Sequence, residues 1–217
     1  MDLMGPFTPP AKGGYRYVSR FTHDYSRMKK VNLLRNRSEV AELLHQYNMT
    51  VAVPLGLRIE IVWCDKSGEY IGQEFKILYV NAGINTEYAM TNTPQQNGVS
   101  ERNGKIMAQI TRCLMKHGNS PPSLWGELIF TAAYLSYRSP HLSLGVATPY
   151  VRMNNNEADL SGLRAIRARA FVHRETYTRK LDLEGKLCGF SQDSRADRIY
   201  SPAKGTAVES CNVTFLE

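Results

Sequence analysis

Apolar residues in one long stretch recur at helical spacing. Val99, Ile106, Ile110, Cys113 and Leu114 would share one side of a helix running to about Gly118, and the spacing predicts that they face a core. Glu101, Lys105, Ala108 and Arg112, at i, i+4, i+7 and i+11, share another face. A polar loop with Pro94 and Gly98 precedes this helix, which would put Glu101 in its first turn. Mixed charge opposite an apolar stripe is the ordinary pattern of a surface helix, so by itself the second face is simply solvated.

Elsewhere the pattern changes period. Y-R-Y-V-S-R-F-T (15–22) and M-K-K-V-N-L-L (28–34) alternate as strands, and the turn-like H-D-Y-S-R joins them in a hairpin. Ser38 is a good N-cap for a helix over E-V-A-E-L-L-H-Q-Y, with acids in its first turn, and Pro54 and Gly56 end it. The apolar run I-E-I-V-W-C-D predicts a buried strand finishing at Asp65. G-Q-E-F-K-I-L-Y-V-N-A-G predicts a short helix ending at Gly83, and I-N-T-E-Y-A-M a strand leading into the polar loop. After Pro121 and Pro122, residues 123–140 form another helix with Trp125, Phe130 and Tyr134 as packing residues. The Asn-rich N-N-N-E begins a linker. Beyond it A-R-A-F-V-H, K-L-C-G-F-S, D-R-I-Y-S-P and V-E-S-C-N-V-T-F-L-E predict four or five short strands.

Composition fits a folded chain with a polyanionic partner. The 217 residues are 42% hydrophobic, enough for one medium domain and a small one. A net charge of +7 and a pI near 9.3 favour nucleic acid. Cys64, Cys113, Cys188 and Cys211 form no C-x-x-C pair, and Cys64 and Cys113 fall in expected core elements, so buried free thiols in a reducing, intracellular compartment are expected. No apolar run reaches the ~20 residues of a membrane helix, and no signal-peptide pattern occurs. No membrane partner is expected.

The loop and helix start, T-P-Q-Q-N-G-V-S-E-R-N, resembles the signature around the last acid of retroviral and retrotransposon integrases, above all those of copia-type LTR retrotransposons. In that family the acid closes a D,D-35-E metal site, and 35 residues separate Asp65 from Glu101 here. The opening D-L-M-G-P matches the family's D-x-x-G-P, which makes Asp2 the first acid; otherwise it is a stray acid at a frayed terminus. The resemblance continues through H-D-Y-S-R, where the family has D-D-Y-S-R and where Asp24 and His23 take turn roles, and through the 123–140 helix, where Tyr137 stands in place of Asn. A-T-P-Y is similar to the family's short T-P-Y-E helix.

What the resemblance implies is an α/β, RNase H-like integrase core, a mixed five-stranded sheet flanked by helices, over residues 1–153. A linker over 154–162 and an SH3-like β module over 163–217 would follow. Asp2, Asp65 and Glu101 would hold two Mg²⁺ or Mn²⁺ ions for DNA strand cleavage and strand transfer, with no enzyme-bound covalent intermediate. Gln95, Gln96 and Asn97 would contact DNA through their amides, and Arg102 and Lys105 would hold phosphates. The family works as an oligomer on DNA, with its integration step in the nucleus. Its His/His/Cys/Cys zinc module has no counterpart in this chain, and the start one residue before Asp2 suggests an N-terminally truncated copy. Lys66 and Ser67 replace the family's Asn-Gly beside Asp65, Glu69 and Glu74 take surface roles, Arg167 stands where the family usually has Gly, and the stretch from Leu181 to Gly189 is short. The truncation and the changes beside Asp65 imply impaired catalysis, and the last two departures bear on the packing of the β module. The alternative is an inactive nucleic-acid-binding remnant of a transposable element.

Overall fold

The expected hairpin forms from β2 (Tyr17–Thr22) and β3 (Lys29–Leu34), and β1 (Asp2–Met4) adds antiparallel to β2 in the register Asp2↔Arg20, Leu3↔Ser19, Met4↔Val18. This comes from a computed structural model that describes residues 1–64, 70, 72–88, 94–172, 184–191 and 196–216, with side chains at all of these except 74, 94–103 and 184. The turn between β2 and β3 is closed by the His23 N–H donating to the Met28 carbonyl at 2.9 Å, with His23 Nδ1 2.8 Å from Ser26 Oγ. Asp24 pairs with Arg27 in solvent at 2.7 Å, the turn role expected of it.

A second strand pair is parallel. β4 (Ile61–Cys64) runs beside β5 (Asn85–Tyr88) in the register Ile61↔Asn85 to Cys64↔Tyr88. The Met1 ammonium donates to the Trp63 carbonyl, which brings the start of β1 alongside β4. The expectation that β4 is buried on both faces fails. Val62 and Cys64 point into the core, while Ile61 and Trp63 are 45% and 56% exposed, because alternate side chains leave opposite faces and only one is packed.

The chain divides into two compact units. The first comprises 1–10, 14–21 and 31–106, the second 11–13, 22–30 and 107–217. The first unit's core gathers Phe21, Leu34, Val40, Leu44, Val62, Tyr70, Phe75, Tyr79 and Ile84. Tyr70 and Phe75 meet edge-on at 5.5 Å, and such ring pairs contribute ~0.5–1.5 kcal/mol beyond their buried area. Burial pushes the Tyr79 hydroxyl's pKa well up and keeps it neutral.

α1 (Val40–Tyr47) is entered differently from the expectation that Ser38 caps it. A 3₁₀ turn (Arg37–Glu39) precedes it with Asn36 at the cap, and Glu39 reaches back to accept from the Asn36 N–H at 2.7 Å. A carboxylate long enough to close this capping box satisfies the first orphan donors, so the chain starts turning two residues before Ser38. The helix continues through a π turn and a 3₁₀ turn to Gly56, at φ 67°. α2 (Gln73–Ala82) ends, as expected, on Gly83 at φ 63°, whose N–H donates back to Val80.

α3 (Pro94–His117) departs from expectation in two ways. It begins at Pro94, so the expected loop residues 95–98 are helical and Glu101 is beyond the first turn. Proline suits a first helical turn because its missing N–H would have no partner there. Its buried side also differs: Gly104, Met107, Thr111 and Gly118 are buried, whereas Ile106 and Cys113 are exposed. Thr111 is buried without an orphaned hydroxyl because its Oγ1 donates to the Met107 carbonyl at 2.9 Å.

In the second unit a 3₁₀ turn (Pro122–Leu124) leads into α4 (Trp125–Arg138), and α5 (Pro149–Asn154) starts at Thr148, whose hydroxyl accepts from the Val151 N–H at 3.2 Å. Asn154 donates to the Tyr137 hydroxyl at 2.8 Å, which gives that tyrosine a partner. β6 (Arg169–Val172), β7 (Glu184–Phe190), β8 (Asp197–Ser201), β9 (Thr206–Ser210) and β10 (Val213–Leu216) form an antiparallel sheet in the order β10-β6-β7-β8-β9. α4 packs on β7: Tyr134 stacks on Phe190 at 5.0 Å, and the Phe190 N–H donates to Thr131 Oγ1 at 3.3 Å. Arg198 pairs with Glu127 and with Glu209. Burial works against the Arg198 charge, but these two carboxylates outweigh it and raise its pKa. No helix among the described residues is long and apolar enough to cross a membrane.

Candidate active site

Asp2 opens β1, directly across from Arg20 on β2. The Arg20 Nη2 donates to Asp2 Oδ2 at 2.6 Å. The arginine is 2% exposed and the aspartate 24%, so this pair belongs to the fold and not to a solvated surface. Burial pushes the Arg20 pKa down, while Asp2 and then Tyr70 pull it up. An arginine stays cationic in protein interiors, so Asp2 faces a fixed positive charge.

α3 comes to the same place. A Cβ added to Gly104 would lie 3.3 Å from Met4 Sδ and 3.5 Å from both Arg20 Nη1 and Asp2 Oδ2. Glu101 lies three residues earlier on the same helix, ~4.5 Å along its axis. β4 arrives from the other side. Its last residue, Cys64, directly precedes Asp65, and the Met1 contact to Trp63 sets that strand end beside Asp2. The backbone therefore carries Asp2, the residue before Asp65, and the turn after Glu101 to one edge of the first unit.

Asp65, Lys66, Ser67 and Glu69 lie outside the described residues, as do the side chains of Glu74, Gln95, Gln96, Asn97, Glu101 and Arg102. Lys105 is described and exposed on α3. Among the described residues no three metal-ligating side chains gather, a set that contains only Asp2 of the three acids.

Two residues of this site escaped the sequence reasoning. Arg20 carried a signal: a cation inside a strand flanked by Val18, Ser19 and Phe21 needs a buried anion. Gly104 carried none, since a helical glycine reveals a close approach only once its neighbours are known.

No family model matches the chain. Over its full length it is 31% identical to part of the retrovirus-related Pol polyprotein from transposon TNT 1-94 of Nicotiana tabacum, of which it covers 17%. It is 24% identical, over 86% of its length, to part of the corresponding polyprotein from transposon RE2 of Arabidopsis thaliana, covering 13% of it. The chain thus spans less than a fifth of the curated relatives it matches. Among solved structures it superposes, over its whole length and 77% of the other chain, on a cryoEM structure of the simian T-cell lymphotropic virus intasome in complex with PP2A regulatory subunit B56 gamma, with a TM-score of 0.56 at 15% identity. The fold is mixed α/β and RNase H-like. An RNase H-like core accounts for the mixed strand set, with β1 to β3 antiparallel and β4 parallel to β5.

Proposed function

We propose that the chain is an integrase core of the copia retrotransposon type, cleaving and joining DNA strands through Asp2, Asp65 and Glu101. The observation that carries this reading is the approach of α3 to Asp2 at Gly104, one turn beyond an acid separated from Asp65 by 35 residues. The three carboxylates would hold Mg²⁺ or Mn²⁺. Such ions, when bound as a pair, lower the pKa of an attacking hydroxyl and stabilise a leaving 3′ oxygen.

The protein's own residues supply position and charge. β1 and α3 fix Asp2 and Glu101 on rigid elements, which matters because a misplacement of about 1 Å can cost ~10²-fold in rate. Lys105 and Arg102 hold phosphates, and Gln95, Gln96 and Asn97 add amide contacts from the first turns of α3. The net charge of +7 concentrates DNA at this surface. Lys66 and Ser67 beside Asp65 weaken the site: a lysine opposes a divalent cation, and a serine strains a turn that needs positive φ by ~1–2 kcal/mol. On this reading residues 1–153 are the catalytic core and 163–217 an SH3-like module joined by a linker over 154–162. The core works as an oligomer on DNA, and its integration step belongs in the nucleus.

A second reading, a nucleic-acid-binding remnant without catalysis, is favoured by one observation: the buried Arg20 already holds Asp2. The test is cleavage and joining of end-labelled duplex DNA with Mg²⁺ or Mn²⁺. Weak metal-dependent nicking is expected, higher in Lys66→Asn/Ser67→Gly and absent in Glu101→Gln. DNA binding should weaken steeply with salt, and Lys105→Ala should weaken it about equally for all sequences. Nicking unchanged by Glu101→Gln overturns the catalytic reading. Binding without nicking in any variant supports the remnant, and no binding at low salt overturns both.

A further inference from the structure

We infer that Arg20 is an internal competitor for the divalent ion: it holds Asp2 Oδ2 and sets a buried positive charge against metal at that carboxylate. The inference rests on the carboxylate site proposed above and adds a residue that opposes it.

The pair is built by the sheet. Asp2 and Arg20 are register partners on adjacent strands, so β-pairing alone sets them side by side. The guanidinium donates to Asp2 Oδ2 at 2.6 Å, a charge-assisted bond at the short end of its range. Arg20 is 2% exposed and shares its strand with buried Val18, Ser19 and Phe21, so its charge is held inside the unit. Gly104 of α3 comes within side-chain reach of both partners, so the helix covers the pair from a second direction.

Two effects follow. An oxygen engaged by a guanidinium is a poorer ligand, because the ion must first displace that bond. A divalent cation next to a buried unit charge is also repelled, and the repulsion is strong where water is scarce. Both act before any DNA is present, so they are readable as metal affinity. They are separate from the effects of Lys66 and Ser67, which lie on the far side of Asp65 in sequence.

The experiment is Mn²⁺ binding by the full chain, followed by the loss of the free-ion electron paramagnetic resonance signal. The parent is compared with Arg20→Met, Arg20→Gln, Arg20→Lys and Arg20→Met/Glu101→Gln, with circular dichroism as a check on folding. Removing the charge should tighten Mn²⁺ binding on the order of tenfold or more in Arg20→Met and Arg20→Gln. Arg20→Lys, which keeps the charge, should bind as weakly as the parent. The gain should disappear in the double variant. Should Arg20→Met fail to fold, Arg20→Gln carries the comparison alone, with Glu101→Gln added to it. A parent that binds as tightly as the uncharged variants, with binding lost in Glu101→Gln, leaves the carboxylate site standing and overturns the role given to Arg20. A gain that survives Glu101→Gln places the ion elsewhere and overturns the carboxylate site itself, and the inference with it.

Discussion

Arg167 holds a backbone φ of 75°, a conformation that glycine adopts freely and that costs other residues roughly 1–2 kcal/mol. The structure shows what offsets that cost. The Arg167 Nη1 donates to the Gly118 carbonyl at 2.8 Å and to the Asn119 carbonyl at 3.1 Å, just past the end of α3. Carbonyls at a helix C-terminus lack intrahelical partners, and a cation there contributes ~0.3–1 kcal/mol besides its hydrogen bonds. A hydrogen bond from a charged group contributes ~1.5–3 kcal/mol, less here because one acceptor is exposed. The Arg167 N–H also donates to Leu187 at 2.7 Å, a bond that any residue but proline keeps. Arg167→Ala keeps the strain and loses the guanidinium contacts, so it should destabilise the chain by ~1–2 kcal/mol. Arg167→Gly loses the same contacts but relieves the strain, so it should fall between Ala and the parent. Thermal unfolding of the full chain resolves the order, since 1 kcal/mol shifts the midpoint by roughly 2–4 °C at this size. An Arg167→Gly chain more stable than the parent would refute the reasoning, because the contacts would then contribute less than the strain.

Two further outcomes are expected. A Cβ on Gly189 would lie 2.2 Å from Thr131 Oγ1 and 3.2 Å from the Glu127 carbonyl, so Gly189→Ala must push β7 off α4 and should destabilise by ~1–3 kcal/mol in the same melts; an unchanged midpoint contradicts that packing. Native thiol titration should label exposed Cys113 and Cys211 quickly and buried Cys64 and Cys188 only on unfolding. Burial, and then Glu127, push the Cys188 pKa up, so rapid labelling of Cys188 counts against the β7–α4 contact.

Local chemistry made much of the fold legible. Gly83 stops α2 because glycine is the natural residue at a left-handed helix end, and His23 to Arg27 make the turn between β2 and β3. Arg167 also stood out as a departure, since glycine is the residue the resemblance expects there. The failures arose where a particular contact, tertiary or local, outweighs the pattern of residue types. An apolar count along α3 selects Ile106 and Cys113, but the helix buries the side that lets Gly104 approach β1 and lets Thr111 bond its own backbone. Ser38 is a good cap by type, yet Glu39 reaches farther and moves the cap to Asn36. The strand ending at Cys64 looks apolar throughout, and only the sheet's layering tells Val62 from Trp63. At the site, the spacing of Asp65 and Glu101 was legible only through the resemblance. Arg20 showed only as a cation within an apolar strand, because its partner depends on the β1–β2 register that sets it against Asp2.

The central claim is that Asp2, Asp65 and Glu101 meet at one divalent-metal site. A crystal structure of the Arg20→Gln chain grown with Mn²⁺, with the ion located by anomalous scattering, tests it most directly. The account predicts Mn²⁺ between the three carboxylates, which should lie within about 4–8 Å of one another, as ligands of a metal pair must. Mn²⁺ bound elsewhere, or an Asp65 or Glu101 carboxylate turned to another face of the sheet from Asp2, would contradict it.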